Sequence, residues 1–196
     1  MRTLIVTAHP DAESLTHHAA RRLQQVLGAE AAEVVDLAGE GFDPRFTAGD
    51  RRAYLGRGPT APDVVAEQER VDAVEHLVLV FPVYWWSMPA LLKGWVDRVF
   101  VAGWAFDAGE DGRIVPRLQR LTVHLLPLSG TSAASFARHG YADAFSAQVH
   151  GGIVDFCGAR RGRTAFVHDS EGGERAPAAV EAAVQQVAST ITAAAG

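Results

Sequence analysis

The sequence predicts a doubly wound α/β domain built on a parallel sheet. Short apolar runs of strand length alternate along the chain with segments whose apolar residues recur at helical spacing. The 196 residues are enough for one well-cored domain and short for two. With 48% hydrophobic and 21% charged residues the balance is that of an ordinary globular protein, which excludes disorder.

Each element follows from its local pattern. Thr3–Ala8 reads as a short buried strand, and Leu15–Leu27 as a helix with Ser14 at its N-cap. Glu33–Leu37 is the second strand. Residues 38–62, rich in Gly, Pro and charge, read as a long excursion. Asp63 is placed to cap a helix running to about Val74. His76–Phe81 is the third strand, ended by Pro82, and Pro89 opens a helix over Ala90–Phe100. Leu121–Leu126 is the fourth strand. Tyr141–Phe156 reads as helical at least in part, against the resistance of Gly151-Gly152. Thr164–His168 is the fifth strand and Pro177–Ala194 an Ala-rich terminal helix. No repeat or linker interrupts the chain, so residues 1–196 are expected to form a single domain. Right-handed crossovers leave few topologies. Five parallel strands fit the order 2-1-3-4-5, the three-layer flavodoxin-like fold, whose ligands sit at the carboxyl ends of the strands between strands 1 and 3.

Several classes are excluded. The net charge is −5 and no basic stripe with interleaved aromatics occurs, which argues against nucleic-acid binding. No apolar run approaches the roughly 20 residues of a membrane span. The chain enters a strand at once, with no cationic leader, and Cys157 is the only cysteine, so a reducing, cytoplasmic setting is expected.

The loops after the strands carry the candidate chemistry. His9-Pro10-Asp11-Ala12-Glu13-Ser14-Leu15-Thr16 joins the first strand to the first helix, whose free amides and positive dipole end suit a phosphate. Ser14 can equally be a plain cap. The loop lacks a Gly-rich dinucleotide fingerprint. It is similar to the A-H-P-D-D-E motif of zinc-dependent sugar deacetylases, but Ala12 stands where a ligand carboxylate belongs, so no metal site is expected. After the third strand come Pro82, Val83, Tyr84, Trp85 and Trp86. Three adjacent aromatics at a ligand edge suit a flat apolar ring, with packing the alternative for any one of them. Ser129, Gly130 and Thr131 follow the fourth strand, where Gly permits close backbone approach and hydroxyls can bond ring heteroatoms.

The stretch from Asp63 to Phe106 closely resembles NAD(P)H:quinone oxidoreductases of the DT-diaphorase type and the quinone reductases that accompany bacterial potassium-efflux systems. Its most specific part is P-x-x-W-x-x-x-P-A-x-L-K-G-W, from Pro82 to Trp95. The likeness runs from Leu4-Ile5-Val6…His9 through Gly152–Gly158, about four fifths of the chain. It implies FAD, with FMN as an alternative, and NAD(P)H as co-substrate. It matches phosphate contacts to His9, Ser14 and Thr16, and ring contacts to Pro82, Val83, Tyr84, Trp85 and Trp86. Ser129, Gly130 and Thr131 match loosely the loop at the flavin's pyrimidine edge. His139, before Gly140, matches a histidine that redistributes charge during hydride transfer. The family's partner Tyr is missing, its place falling on Phe136 or Ala133, with Tyr141 two residues past the histidine. Arg175 is a weak match to an adenine-side phosphate contact. The resemblance further implies ping-pong hydride transfer to a quinone-like acceptor and a homodimer with sites at the subunit boundary, Trp104 and Phe106 being candidates for the second wall. A non-catalytic flavodoxin-type electron carrier is the competing class, separated by NAD(P)H turnover. A phospho-receiver domain needs an acidic pair after strand 1, an Asp closing strand 3 and a Lys after strand 5, and this sequence has none of them there.

Overall fold

A computed structural model describes residues 2–109, 111–173 and 176–194. In chain order it contains β1 (Thr3–Thr7), α1 (Leu15–Leu27), β2 (Ala32–Asp36), α2 (Ala48–Tyr54), α3 (Pro62–Asp72), β3 (His76–Pro82) and α4 (Ala90–Val99). A hairpin of β4 (Phe106–Ala108) and β5 (Ile114–Pro116) precedes β6 (Thr122–Leu128). Then come α5 (Ala133–Arg138), α6 (Tyr141–Phe145), a π-helical segment (Ser146–Asp155), β7 (Arg160–Thr164) and α7 (Ala176–Ala193).

The main sheet runs β2-β1-β3-β6-β7 with every pair parallel. Leaving the hairpin aside, that is the expected 2-1-3-4-5. Its central strands are continuous apolar runs because both faces are covered. Ile5, Val78, Val80 and Leu126 pack under α1 and α7. Leu4, Val6, Leu77 and Leu79 pack under α3, α4 and the π-helical segment. Trp95, fully buried on α4, donates its Nε1 proton to Glu67 Oε2 of α3 at 2.8 Å, so its polar atom is satisfied inside the core.

The excursion holds a short helix, α2, whose Thr47 and Asp50 form a reciprocal capping box. One buried cation ties it down. Arg98, 5% exposed, donates through Nη1 to Asp63 Oδ2 (2.6 Å) and the Asp43 carbonyl (2.8 Å), and through Nη2 to Asp50 Oδ1 (3.3 Å). Gly94 has no side chain because Pro44 of the excursion lies hard against it.

Three further boundaries move for physical reasons. Asp63 does not cap α3: Ala61 is the N-cap and Pro62 opens the helix, leaving the Asp63 carboxylate to Arg98. Pro89 is itself the N-cap of α4 rather than part of its first turn. The fifth strand is Arg160–Thr164, not Thr164–His168, and only Val167 still bridges to β6, opposite Leu128. Gly162 packs against the His124 ring and the register slips between Val123 and Leu125, beyond which the Ala165 and Val167 amides still donate to the Leu125 and Pro127 carbonyls at 2.9 Å. Arginines on this edge strand discourage pairing with another chain. Among the described residues no helix is long and apolar enough to cross a membrane.

Candidate functional site at the carboxyl edge of the sheet

The first loop is organised by Ser14 and His17. Ser14 caps α1, its Oγ accepting the His17 amide proton at 3.3 Å. The amides of Leu15 and Thr16, in the first turn, have no intrahelical acceptor. Thr16 itself is buried. His17, which the sequence reading missed, is 5% exposed. Its Nδ1 lies 2.9 Å from the Asp11 carbonyl and 3.0 Å from Ser14 Oγ, and its Nε2 lies 3.0 Å from Asp36 Oδ2. A carbonyl only accepts, so Nδ1 carries a proton, and the Asp36 carboxylate lies beside Nε2. Burial pushes the Asp36 carboxyl up, but the Gly39 amide and His17 outweigh it and hold it below its ordinary value. His9 is half-buried and accepts the Asp11 amide proton at its Nδ1 (3.0 Å).

The second loop is a tight turn. Tyr84 and Ser87 exchange backbone hydrogen bonds of 3.1 and 3.0 Å, enclosing Trp85 at φ +47° and Trp86 at φ +63°. Two left-handed residues in a two-residue loop make type I′ geometry, normally Asn-Gly. A bulky residue there costs roughly 1–2 kcal/mol. Such strain concentrates at functional sites. Trp85 projects into solvent, 92% exposed. Trp86 stacks on Tyr141 with centroids 3.7 Å apart and planes 10° from parallel. Val83 donates to the Leu128 carbonyl at 2.7 Å, tying the loop to β6. The Trp85 and Trp86 amides have no protein acceptor among the described residues.

The third loop is braced from below. Ser129 donates its amide proton to Val167 O (2.8 Å), and Ser170 donates back to Ser129 O (2.9 Å). His168 Nδ1 donates to Thr131 O at 3.0 Å. Gly130 is exposed, its Cα beside the Glu171 carboxylate. Beyond it His139, exposed at the end of α5, stacks on Tyr141 (5.3 Å, 27°). His139, Tyr141 and Trp86 therefore form one column of rings. Phe136 is buried edge-on to Trp86 at 5.7 Å.

A groove of about 490 Å³ opens beside Ser87 and Met88. Phe106 lines it and meets Phe156 edge-on at 5.0 Å. Trp104 does not line it: its Nε1 proton points at the Asp72 carboxylate, 3.2 Å away. Among the described residues no three His, Cys, Asp or Glu side chains are gathered as a metal site.

Residues 1–191 match the family described as flavodoxin-like fold. The chain belongs to that family. This flavodoxin-like protein is 29% identical over 178 residues to NAD(P)H dehydrogenase [quinone] 1 of Rattus norvegicus, a match covering 80% of this chain and 65% of the rat protein. It is 33% identical over 145 residues to an uncharacterized NAD(P)H oxidoreductase of Escherichia coli K12, covering 71% of this chain and 70% of that one. The NAD(P)H:quinone oxidoreductase of Methanothermobacter marburgensis superposes with a TM-score of 0.85 at 21% identity, covering 96% of both chains.

The flavodoxin-like edge carries His9, Ser14, Val83, Tyr84, Trp85, Trp86, Ser129, Gly130 and Thr131 in the loops after β1, β3 and β6, with Pro82 closing β3, Thr16 in the first turn of α1 and His139 at the end of α5. Arg175 lies outside the described residues. In the sequence His17 is signalled only by the His17-His18 pair opening a helix, and the groove residues Phe46, Arg51 and Tyr54 are hidden in the excursion.

Proposed function

We propose that this protein is a flavin-dependent NAD(P)H oxidoreductase passing two electrons, in ping-pong order, to a quinone or similar acceptor. The observation that carries the reading is the Tyr84–Ser87 turn. Exposing one tryptophan and stacking the next, with both amides open and both backbones left-handed, has no structural benefit of its own. It fits a flat ring with a polar rim. The amides of Leu15 and Thr16 fit a phosphate, and exposed Gly130 permits close backbone approach. The residues present therefore fit a flavin, which when bound supplies the hydride chemistry.

The chain's own groups orient and stabilise. Ser14 and the first turn of α1 would hold the phosphate, with the His17–Asp36 pair fixing the loop beneath it. The open amides of Trp85, Trp86 and Gly130 would meet ring heteroatoms. Arg138 Nε donates to His139 Nε2 at 3.4 Å, which leaves Nδ1 of His139 as the atom that holds a proton toward developing negative charge. The exposed Tyr84 and Trp85, with Ile114 and Val115 on the hairpin, support a homodimer. NAD(P)H oxidation coupled to quinone reduction tests the activity. Parallel double-reciprocal lines are expected, and absence of NAD(P)H turnover by flavin-loaded protein would leave only an electron carrier.

A further inference from the structure

The groove beside the aromatic turn has a chemistry of its own. Its volume, about 490 Å³, lies within the range of small-molecule sites. Phe46 and Tyr54 of the excursion line it, together with Phe106 and Phe156. It begins where the strained turn ends, at Ser87, whose hydroxyl donates to Gln148 Oε1 at 3.2 Å.

Two cations reach this apolar lining, and they differ. Lys93 is neutralised within its own helix, with Nζ 2.6 Å from Asp97 Oδ1. Arg51 has no carboxylate at ion-pair distance among the described residues; its guanidinium lies over the Tyr54 ring, 5.5 Å from the centroid. The other arginine packed against the excursion, Arg98, is enclosed by Asp50 and Asp63. Arg51 is thus a cation held in place by an aromatic face with its donor fork left over. The net charge of −5 makes an uncompensated cation beside an apolar groove a local feature, not a reflection of the whole surface.

We propose that this groove binds flat aromatic acceptors carrying an anionic substituent, with Arg51 meeting the anion. The aromatic walls take the ring by stacking. The planar guanidinium suits a carboxylate or sulfonate, which it can bind through two parallel hydrogen bonds. The inference rests on the reductase reading for the word acceptor, but not for the binding.

Calorimetric titration of the full-length protein with naphthalene sulfonate and with neutral naphthol separates the two. The sulfonate should bind more tightly. Arg51→Gln should weaken it about tenfold, equivalent to roughly 1.4 kcal/mol. The same change should leave naphthol within about twofold, and Arg51→Lys should retain part of the preference. Added salt should narrow the gap between the probes. In turnover, R51Q should raise KM for a sulfonated naphthoquinone with kcat unchanged and leave the unsubstituted quinone unaffected. Equal affinities in the unmodified protein, an R51Q effect on both probes alike, or exclusion of both because a second copy fills the groove would overturn the proposal. Discrimination between the probes by a protein that reduces no quinone would refute the reductase reading and leave the groove assignment standing.

Discussion

At the amino ends of β3 and β6, His76 Nδ1 faces His124 Nε2 at 2.9 Å inside the protein. The Arg163 amide donates to His124 Nδ1 at 3.0 Å, which fixes the tautomer, with the His124 proton on Nε2 and directed at His76. At the carboxyl ends of the same two strands the chain does the opposite. Trp85 stands in solvent, two amides of its turn are open, and Gly130 is bare. One end closes its polar groups on each other; the other keeps them available and holds strain to do so. Substitutions at the amino end should therefore alter stability and leave chemistry alone, while those at the carboxyl end should alter chemistry at little cost in stability.

The largest separation is expected at His139. A single hydrogen bond to developing charge contributes about 1–4 kcal/mol. His139→Ala should therefore slow reduction of the bound flavin by NAD(P)H about ten- to a thousandfold. Flavin affinity and denaturation midpoint should stay nearly unchanged, since the other loops hold the cofactor. Stopped-flow reduction reads the rate; an unchanged rate would make His139 a surface residue, and lost flavin would make it a structural one.

The counterpart at the closed end is acid sensitivity. Burial, with His76 adding, pushes His124 down to about 4. Burial also lowers His76, outweighing the raising effect of Glu75, while Arg160 lowers it further. Below its ordinary value of about 6.5 the unfolded His124 takes up a proton that the folded one refuses. Its contribution is thus complete above about pH 6.5 and lost as pH falls toward 4, by up to about 3 kcal/mol. Urea denaturation at neutral and acid pH should show that loss, and His124→Leu should flatten it. An equally steep profile in the variant would place the sensitivity elsewhere.

Trp85→Gly gives the smallest change in stability and the sharpest sign. Glycine accepts φ +47° without the side-chain penalty, so the variant should be more stable by up to about 1 kcal/mol. It should also bind flavin more weakly, because the exposed ring is gone. A variant that loses stability would show that the tryptophan serves packing.

How much of this was legible follows from where side chains are buried. Residues 76–81 and 121–126 are apolar on both faces, so central strands and their order could be read directly. Arg160–Thr164 could not: an edge strand written R-R-G-R-T has no apolar run, and the apolar residues that look like the strand follow it. The π-helical segment winds more slowly than 3.6 residues per turn, which blurs the helical period around Gly151-Gly152. At the site, three consecutive aromatics were visible as an anomaly. Their left-handed backbone was not, because tryptophan has no preference for that region and only the enclosing strand ends impose it. The place of Arg51 and Phe46 in the groove was hidden because it depends on an excursion folding back through Arg98.

Fluorescence titration of flavin-free protein with FAD and with FMN is the most direct test of the open carboxyl edge as a flavin site. The account predicts saturation at one flavin per chain, with quenching of tryptophan emission that is reduced in Trp85→Gly. Colourless protein that binds neither flavin, with the Trp85–Trp86 emission unaltered, would contradict it.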